Sequence, residues 1–435
     1  MTMVYSLYLF LVMLCTNWRA AFLPGDWGEK IRWADLSFLI LLGLWLKTVF
    51  SEKTRSITPP FTLMLLLFLA VNGASILIAA HLGKALVQFT ALLYLAALYT
   101  VLVYFLRSEE LRTRLVRFWV YFHIGLCAVC LIAWFVVLTG VDLPELARIH
   151  KKYKSFMPFP RIFGLAFGPN TFAVELHTAI VLGLTLWIQS ENEKKKQLVL
   201  LPGLLIMGAA LILTVSRLMI GTLLSTIILL STVNTGKVKI IRTFMKCIFF
   251  PFLFVIFILS IWVVFPVKIH RASDQHIEHT HIEYDRGWTP YMHQVYAGLK
   301  MLRSHPFLGV GIGNYQIESK DYLSHNHLDP LSIYETPKSL SKNPLHHSYM
   351  RPLAETGIIG FLCLCLLLVS FLKKSFQFKG QSVFGLGIWA GLAGFLVSGL
   401  FNDLIYDRSF WLFLAIGAAC FSSQKASGST LPRQK

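Results

Sequence analysis

The chain has 435 residues, 55% hydrophobic and only 14% charged, with a formal net charge of +18 and a mean hydropathy of +0.62. A soluble domain is about half apolar and about a quarter charged, so these figures exclude a soluble globular protein and indicate an integral membrane protein. The basic excess does not indicate a nucleic-acid partner, because much of it lies in short loops between apolar runs, where the positive-inside bias puts it.

About twelve apolar runs approach or reach the roughly 20 residues that cross a bilayer as a helix. They fall near 3–17, 35–50, 60–80, 85–106, 118–140, 170–189, 197–214, 218–234, 245–267, 348–371, 382–401 and 408–423. The expected fold class is therefore an all-α integral membrane protein. The first run lacks a basic start and a small-residue cleavage site, and reads as a span rather than a cleaved leader.

The loops after the second, fourth, sixth, eighth and tenth runs carry Lys53 and Arg55; Arg107, Arg112 and Arg114; Lys194, Lys195 and Lys196; Lys237, Lys239 and Arg242; and Lys373, Lys374 and Lys379. All fall on one side if both termini are cytoplasmic. The opposite face then holds the basic segment 141–169, with Arg148, Lys151, Lys152, Lys154 and Arg161, and the long segment 268–347. Three regions result: 1–267 with nine spans, the long outer loop 268–347, and 348–435 with three spans and a tail. A connection as long as 268–347 is functional or disordered. Its aromatics favour order, and 290–304 reads as a helix with Tyr291, Val295, Leu299 and Leu302 on one face.

The seven cysteines, Cys15, Cys127, Cys130, Cys247, Cys363, Cys365 and Cys420, all lie in apolar runs, so no disulfide framework is expected in the polar loop. Cys127-x-x-Cys130 reads as core packing. Most of the fourteen histidines lie in 268–347. His276-x-Glu278-His279-x-His281-x-Glu283 has metal-ligand residue types without a recognisable ligand spacing, and reads as a solvated loop.

Four segments carry candidate chemistry. Arg161 through Gly168-Pro169-Asn170 has a tight turn with Pro169 and Asn170 suited to a helix start; Arg161 either holds a phosphate bidentately or snorkels to the interface. Ser216-Arg217 tips a hairpin with almost no loop, and Arg217 is an anchor or an anion ligand. Asp285-Arg286-Gly287-Trp288 precedes His305-Pro306 and the run Gly309-x-Gly311-x-Gly313-Asn314-Tyr315. No βαβ unit surrounds that run, which excludes a dinucleotide fingerprint; its glycines suit a tight turn. Finally, His346-His347 is followed by Arg351, Glu355, Gly357 and Gly360 where a polar loop enters a membrane helix. His346 is a candidate general base or a group at a helix start.

Together these segments resemble the O-antigen ligase and polymerase superfamily. His346-His347, nine residues, then Gly357-Ile358-Ile359-Gly360 is similar to the ligases' His-(Asn/Ser/Gln)-x9-Gly-x-x-Gly motif, with Glu355 in its usual place and His347 departing at the second position. Arg161 to Asn170, Ser216-Arg217, and Arg286-x-Trp288 with His305 to Tyr315 are similar to further family segments. The resemblance spans 161–360 in order. It implies a GT-C-type glycosyltransferase of the bacterial inner membrane whose active site faces the periplasm. The implied partners are an undecaprenyl-diphosphate-linked O-antigen donor, a lipid A-core acceptor and membrane lipids.

In that reading His346 deprotonates the acceptor hydroxyl with inversion at the donor carbon. Arg161, Arg217 and Arg286 hold the diphosphate in place of a metal, and no metal or other cofactor is expected. His347, Glu355, Gly357, Gly360 and Asn170 support the site. On a continuous helix Glu355 would lie opposite His346 and pair with a cation or cap a neighbouring loop. A polymerase, a protein O-oligosaccharyltransferase and, in a different class, a polytopic transporter are the alternatives.

Overall fold

The computed structural model describes residues 2–16, 32–51, 58–141, 143, 146–148, 160–190, 193–232, 268–269, 282–283, 289–324, 347–380 and 382–427. The proposed span 245–267, the candidates Arg286 and His346, and His276 through His281 lie outside them. Among the described residues the architecture is helical, with two short antiparallel strand pairs.

Six helices are long and apolar enough to cross a membrane, and five shorter apolar helices accompany them. In chain order the helices are α1 (Thr2–Cys15), α2 (Trp33–Ser51), α3 (Thr62–Ala74), α4 (Leu82–Phe105), α5 (Glu109–Leu138), α6 (Pro169–Gln189), α7 (Lys194–Leu213), α8 (Leu218–Thr232), α9 (Thr289–Ser304), α10 (Tyr315–Ser324), α11 (Met350–Lys379), α12 (Val383–Ser398) and α13 (Arg408–Ser427). Eleven of the twelve expected runs coincide with helices. Two extend eight or nine residues beyond the apolar stretch. The N-terminus of α5 begins nine residues early, because Ser108 caps it by accepting from the Leu111 N–H at 3.4 Å and Glu109 and Glu110 sit at its positive end. The end of α11 runs on through Lys373 and Lys374 to Lys379.

The chain divides into two compact units. The first comprises Met1–Leu65, Leu92–Val233 and Leu367–Lys435. Its centre is α6, which is buried nearly all round, polar residues Glu175, His177, Thr178 and Thr185 included. Apolar burial drives no association in lipid, so close backbone approach and interhelical hydrogen bonds take its place. Small residues supply that approach between α8 and α12: a methyl group on Gly221 would sit 2.2 Å from the Gly394 carbonyl. Ser225 Oγ lies 2.9 Å from the Ala390 carbonyl. His177 of α6 joins the same seam, reaching Thr222 Oγ1 at 2.9 Å and the Gly391 carbonyl at 3.0 Å.

The second unit comprises Leu66–Ala91 and Asn234–Leu366. Helix α9 confirms the helix expected at 290–304, but on a different face. Leu299 is exposed, whereas Gln294, Ala297, Gly298 and Met301 are turned inward. Ala297 and Met301 pack with Val310, Tyr315 and Ala354. At Gly298 the helix lies close to Met350: a methyl group there would meet Met350 Cγ at 2.9 Å.

Candidate functional site

In the second unit, two motif segments far apart in sequence are locked together through their backbones. Helix α11 is not continuous: Gly357 has φ 65° and ψ −166°, so the helix breaks there and restarts. The break frees the amide of Ile358 to donate to the Pro306 carbonyl at 2.8 Å. In return the amides of Val310 and Gly311 donate to the carbonyls of Ala354 and Glu355, at 3.0 and 2.9 Å. Both strands of contact need glycine. A methyl group on Gly357 would stand 2.3 Å from the Phe307 carbonyl oxygen, and one on Gly309 2.4 Å from that of Ala354. Gly309, Gly311 and Gly313 all have positive φ, as a tight turn requires.

The same turn is held from its other end. The Asn314 side-chain oxygen accepts from the His81 N–H at 2.8 Å, and the Ile312 amide donates to Ser75 Oγ at 3.2 Å. Ser75 and His81 carry no motif, and sequence reading had no signal for them. Tyr315 is buried and its hydroxyl donates to the Gln294 carbonyl at 2.6 Å. Burial, with Glu355 nearby, pushes that hydroxyl well above its usual pKa.

His347 starts α11. Its Nδ1 accepts from the amides of Tyr349 and Met350, each at 3.2 Å, satisfying donors that a helix N-terminus leaves without intrahelical partners. The expected opposition of His346 and Glu355 involves His346, which lies outside the described residues; from His347 onward the Arg351 and Leu353 amides donate to the His347 and Tyr349 carbonyls at 3.1 and 3.2 Å. Glu355 does pair with a cation, as expected. Arg351 Nε lies 3.3 Å from each carboxylate oxygen, one helical turn away and with Glu355 almost wholly buried. Thr356 Oγ1 donates to the Pro352 carbonyl at 2.7 Å, occupying space that Gly360 leaves open.

In the first unit, Arg161 lies in the strand Arg161–Ile162, β2, paired antiparallel with Ala147–Arg148, β1. Pro169 takes the first helical position of α6, as the Pro169-Asn170 pair predicts, with Gly168 as its cap; Asn170 is exposed. The guanidinium of Arg161 reaches across to the hairpin tip. Its Nε donates to the Thr214 carbonyl at 2.8 Å and its Nη2 to the Val215 carbonyl at 3.2 Å. Val215 is a non-glycine residue with φ 50°, an unfavourable conformation that the arginine fork helps to hold. The turn presents Arg217, whose guanidinium lies 6.0 Å from the Phe401 ring. A planar fork is suited to gripping two acceptors at once, so Arg161 spends two of its donors on shaping the turn that carries Arg217.

At the start of α13, Asp407 Oδ1 accepts from the amides of Ser409 and Phe410, at 2.8 and 3.3 Å. Burial pushes its carboxyl up to about 6, against the lowering effect of those two amides.

Residues 202–365 match a family model described as O-antigen ligase. A search of curated proteins returned no match.

Proposed function

We propose, for a membrane protein whose residues 202–365 match a family model described as O-antigen ligase, that it transfers a glycan from an undecaprenyl-diphosphate carrier to a hydroxyl of lipid A-core at the periplasmic face of the inner membrane. A twelve-span, GT-C-type plan with both termini cytoplasmic belongs to the same proposal. The observation that carries it lies within the matched segment: the turn after His305-Pro306 and the helix break at Gly357 are joined by backbone hydrogen bonds, directly after the His346-His347 pair.

The chemistry follows from charge. A diphosphate leaves only if its developing negative charge is stabilised, and fixed guanidinium groups supply that without reorganisation. Arg217 and Arg286 are the direct ligands in this proposal. Arg161 adds positive charge while positioning the Arg217 turn. His346 takes the proton of the attacking hydroxyl, a contribution of about 10²–10⁴-fold.

His347 supports that assignment. With Nδ1 accepting two amides, its neutral ring carries the proton on Nε2 and has no lone pair left to act as a base. The capping role also accounts for its departure from the family pattern: Asn, Ser, Gln and a neutral imidazole all present an acceptor to a helix start.

The test is transfer by the purified full chain from a polyprenyl-diphosphate glycan, offered lipid A-core, a protein acceptor, or further donor alone. Product on lipid A-core supports the ligase; glycosylated protein or elongated donor identifies the related transferase or polymerase instead. His346→Ala, still inserted in the membrane, is expected to give no product, and His347→Asn to retain it. A near-normal lipopolysaccharide ladder with His346→Ala removes the base assignment.

A further inference from the structure

Helices α1, α5 and α6 of the first unit meet at Cys15, His123 and Glu175. All three are fully or almost fully buried, at 0%, 0% and 1% exposure. Cys15 Sγ stands 3.7 Å from His123 Nε2, and Glu175 Oε2 stands 3.6 Å from the same nitrogen. One ligand atom from each residue lies within 4.8 Å of the others. None of the motifs discussed above includes these residues, and the transfer chemistry does not use them.

Three features point to a ligand. First, Glu175 Oε2 is buried without a hydrogen-bond partner, and the 3.6 Å approach to His123 is too long to be one. A carboxylate oxygen left so in an apolar interior is costly. Second, His123 Nδ1 lies 2.8 Å from the Trp119 carbonyl and must donate to it. The Nε2 lone pair is thereby directed at the sulfur and the carboxylate, which is the arrangement that second-shell carbonyls impose on metal-binding imidazoles. Third, the spacing fits. Around a tetrahedral zinc with bonds of about 2.3 Å to sulfur and about 2.0–2.1 Å to nitrogen, those two atoms stand about 3.6 Å apart.

We propose that Cys15, His123 and Glu175 form a binding site for a borderline-soft divalent cation, Zn²⁺, which ties α1, α5 and α6 together inside the membrane domain. The donor set, one sulfur, one imidazole nitrogen and one carboxylate oxygen, suits zinc rather than magnesium or calcium. Its charge also suits the surroundings. A thiolate and a carboxylate balance the two positive charges, so the loaded site is neutral where an uncompensated charge is expensive. Binding releases the thiol proton.

The experiment uses the full chain purified in detergent, with zinc added and the excess then removed by gel filtration. Elemental analysis is expected to find about one zinc per chain. Replacement by Co²⁺ is expected to give the near-ultraviolet thiolate-to-cobalt band and the strong visible bands of a tetrahedral site. Cys15→Ser and His123→Gln should lower occupancy to about a tenth or less, and Cys365→Ser, on α11, should leave it unchanged. Zinc at background in monodisperse wild-type protein overturns the proposal, as does a wild-type cobalt complex without the thiolate band or equal zinc in the two ligand variants. The wild-type cobalt spectrum decides the matter even if a ligand variant fails to fold. None of these readouts depends on transfer activity, so failure here leaves the ligase reading to its own test.

Discussion

Replacing Gly357 by alanine puts the helix break to the test. The residue combines φ 65° with ψ −166°, a conformation essentially reserved for glycine, and forcing another residue into it costs about 1–3 kcal/mol. The added methyl group would also meet the Phe307 carbonyl oxygen at 2.3 Å, the Phe307 carbonyl carbon at 2.4 Å and the Leu308 nitrogen at 2.7 Å. All three are backbone atoms, so no side chain can swing aside. Relief requires the 306–308 segment to retreat, which breaks the Ile358–Pro306 hydrogen bond at about another 1 kcal/mol. The sum is about 2–4 kcal/mol. The matched control is Gly208→Ala in α7, where nothing lies within 4 Å of the added atom and the helix gains up to about 1 kcal/mol. Denaturant unfolding of both variants in detergent, with transfer activity measured beside it, should separate them by that margin. If Gly357→Ala proves as stable and as active as Gly208→Ala, the interlock between the two motif segments is not what shapes this region.

Three further outcomes follow from the same structure. Arg161→Lys keeps the charge but loses the fork that holds the Thr214 and Val215 carbonyls, so donor KM should rise by roughly tenfold or more at the ~1.5–3 kcal/mol typical of charged hydrogen bonds, with kcat less affected; an unchanged donor KM rejects the positioning role. Glu355→Gln leaves the Arg351 guanidinium without its buried carboxylate and should destabilise by up to about 3–5 kcal/mol, while Arg351→Met combined with Glu355→Gln should recover part of the loss; strictly additive losses would show that the two side chains are not coupled. For Asp407 the folded pKa of about 6 lies above the ordinary 3.8, so the folded chain holds a proton that the unfolded chain releases, and stability present below about pH 4 is lost as pH rises to about 6. Asp407→Asn cannot ionise and should gain in Tm relative to wild type between pH 4 and 6, with a constant gap above that; a gap that narrows over this range contradicts the shift.

Much of the secondary structure was legible because its causes are local. Apolar runs of bilayer length became helices wherever the chain is described, since lipid leaves a backbone no other way to satisfy its polar groups. Pro169 began a helix because its ring presets φ and it has no N–H to waste. The glycines at 309, 311 and 313 formed a turn, as their spacing after His305-Pro306 suggested. Even the pairing of Glu355 with a cation was readable, since Arg351 stands four residues before it.

What escaped the sequence depends on which side chains meet across long separations. Arg161 looked like a phosphate ligand, yet two of its donors go to carbonyls more than fifty residues away. The helix at 289–304 was readable, but its buried face was not, because hydrophobicity names leucine while the turned-in face carries Gly298 in close contact with the Met350 side chain. Cys15, His123 and Glu175 sit in three separate apolar runs, where each alone reads as a packing residue; only the meeting of α1, α5 and α6 brings their ligand atoms within 4.8 Å of one another. Residue type and spacing determined where the chain becomes helical and where it turns. The backbone contacts between distant segments decided which of those elements touch, and thereby what each polar side chain is free to do.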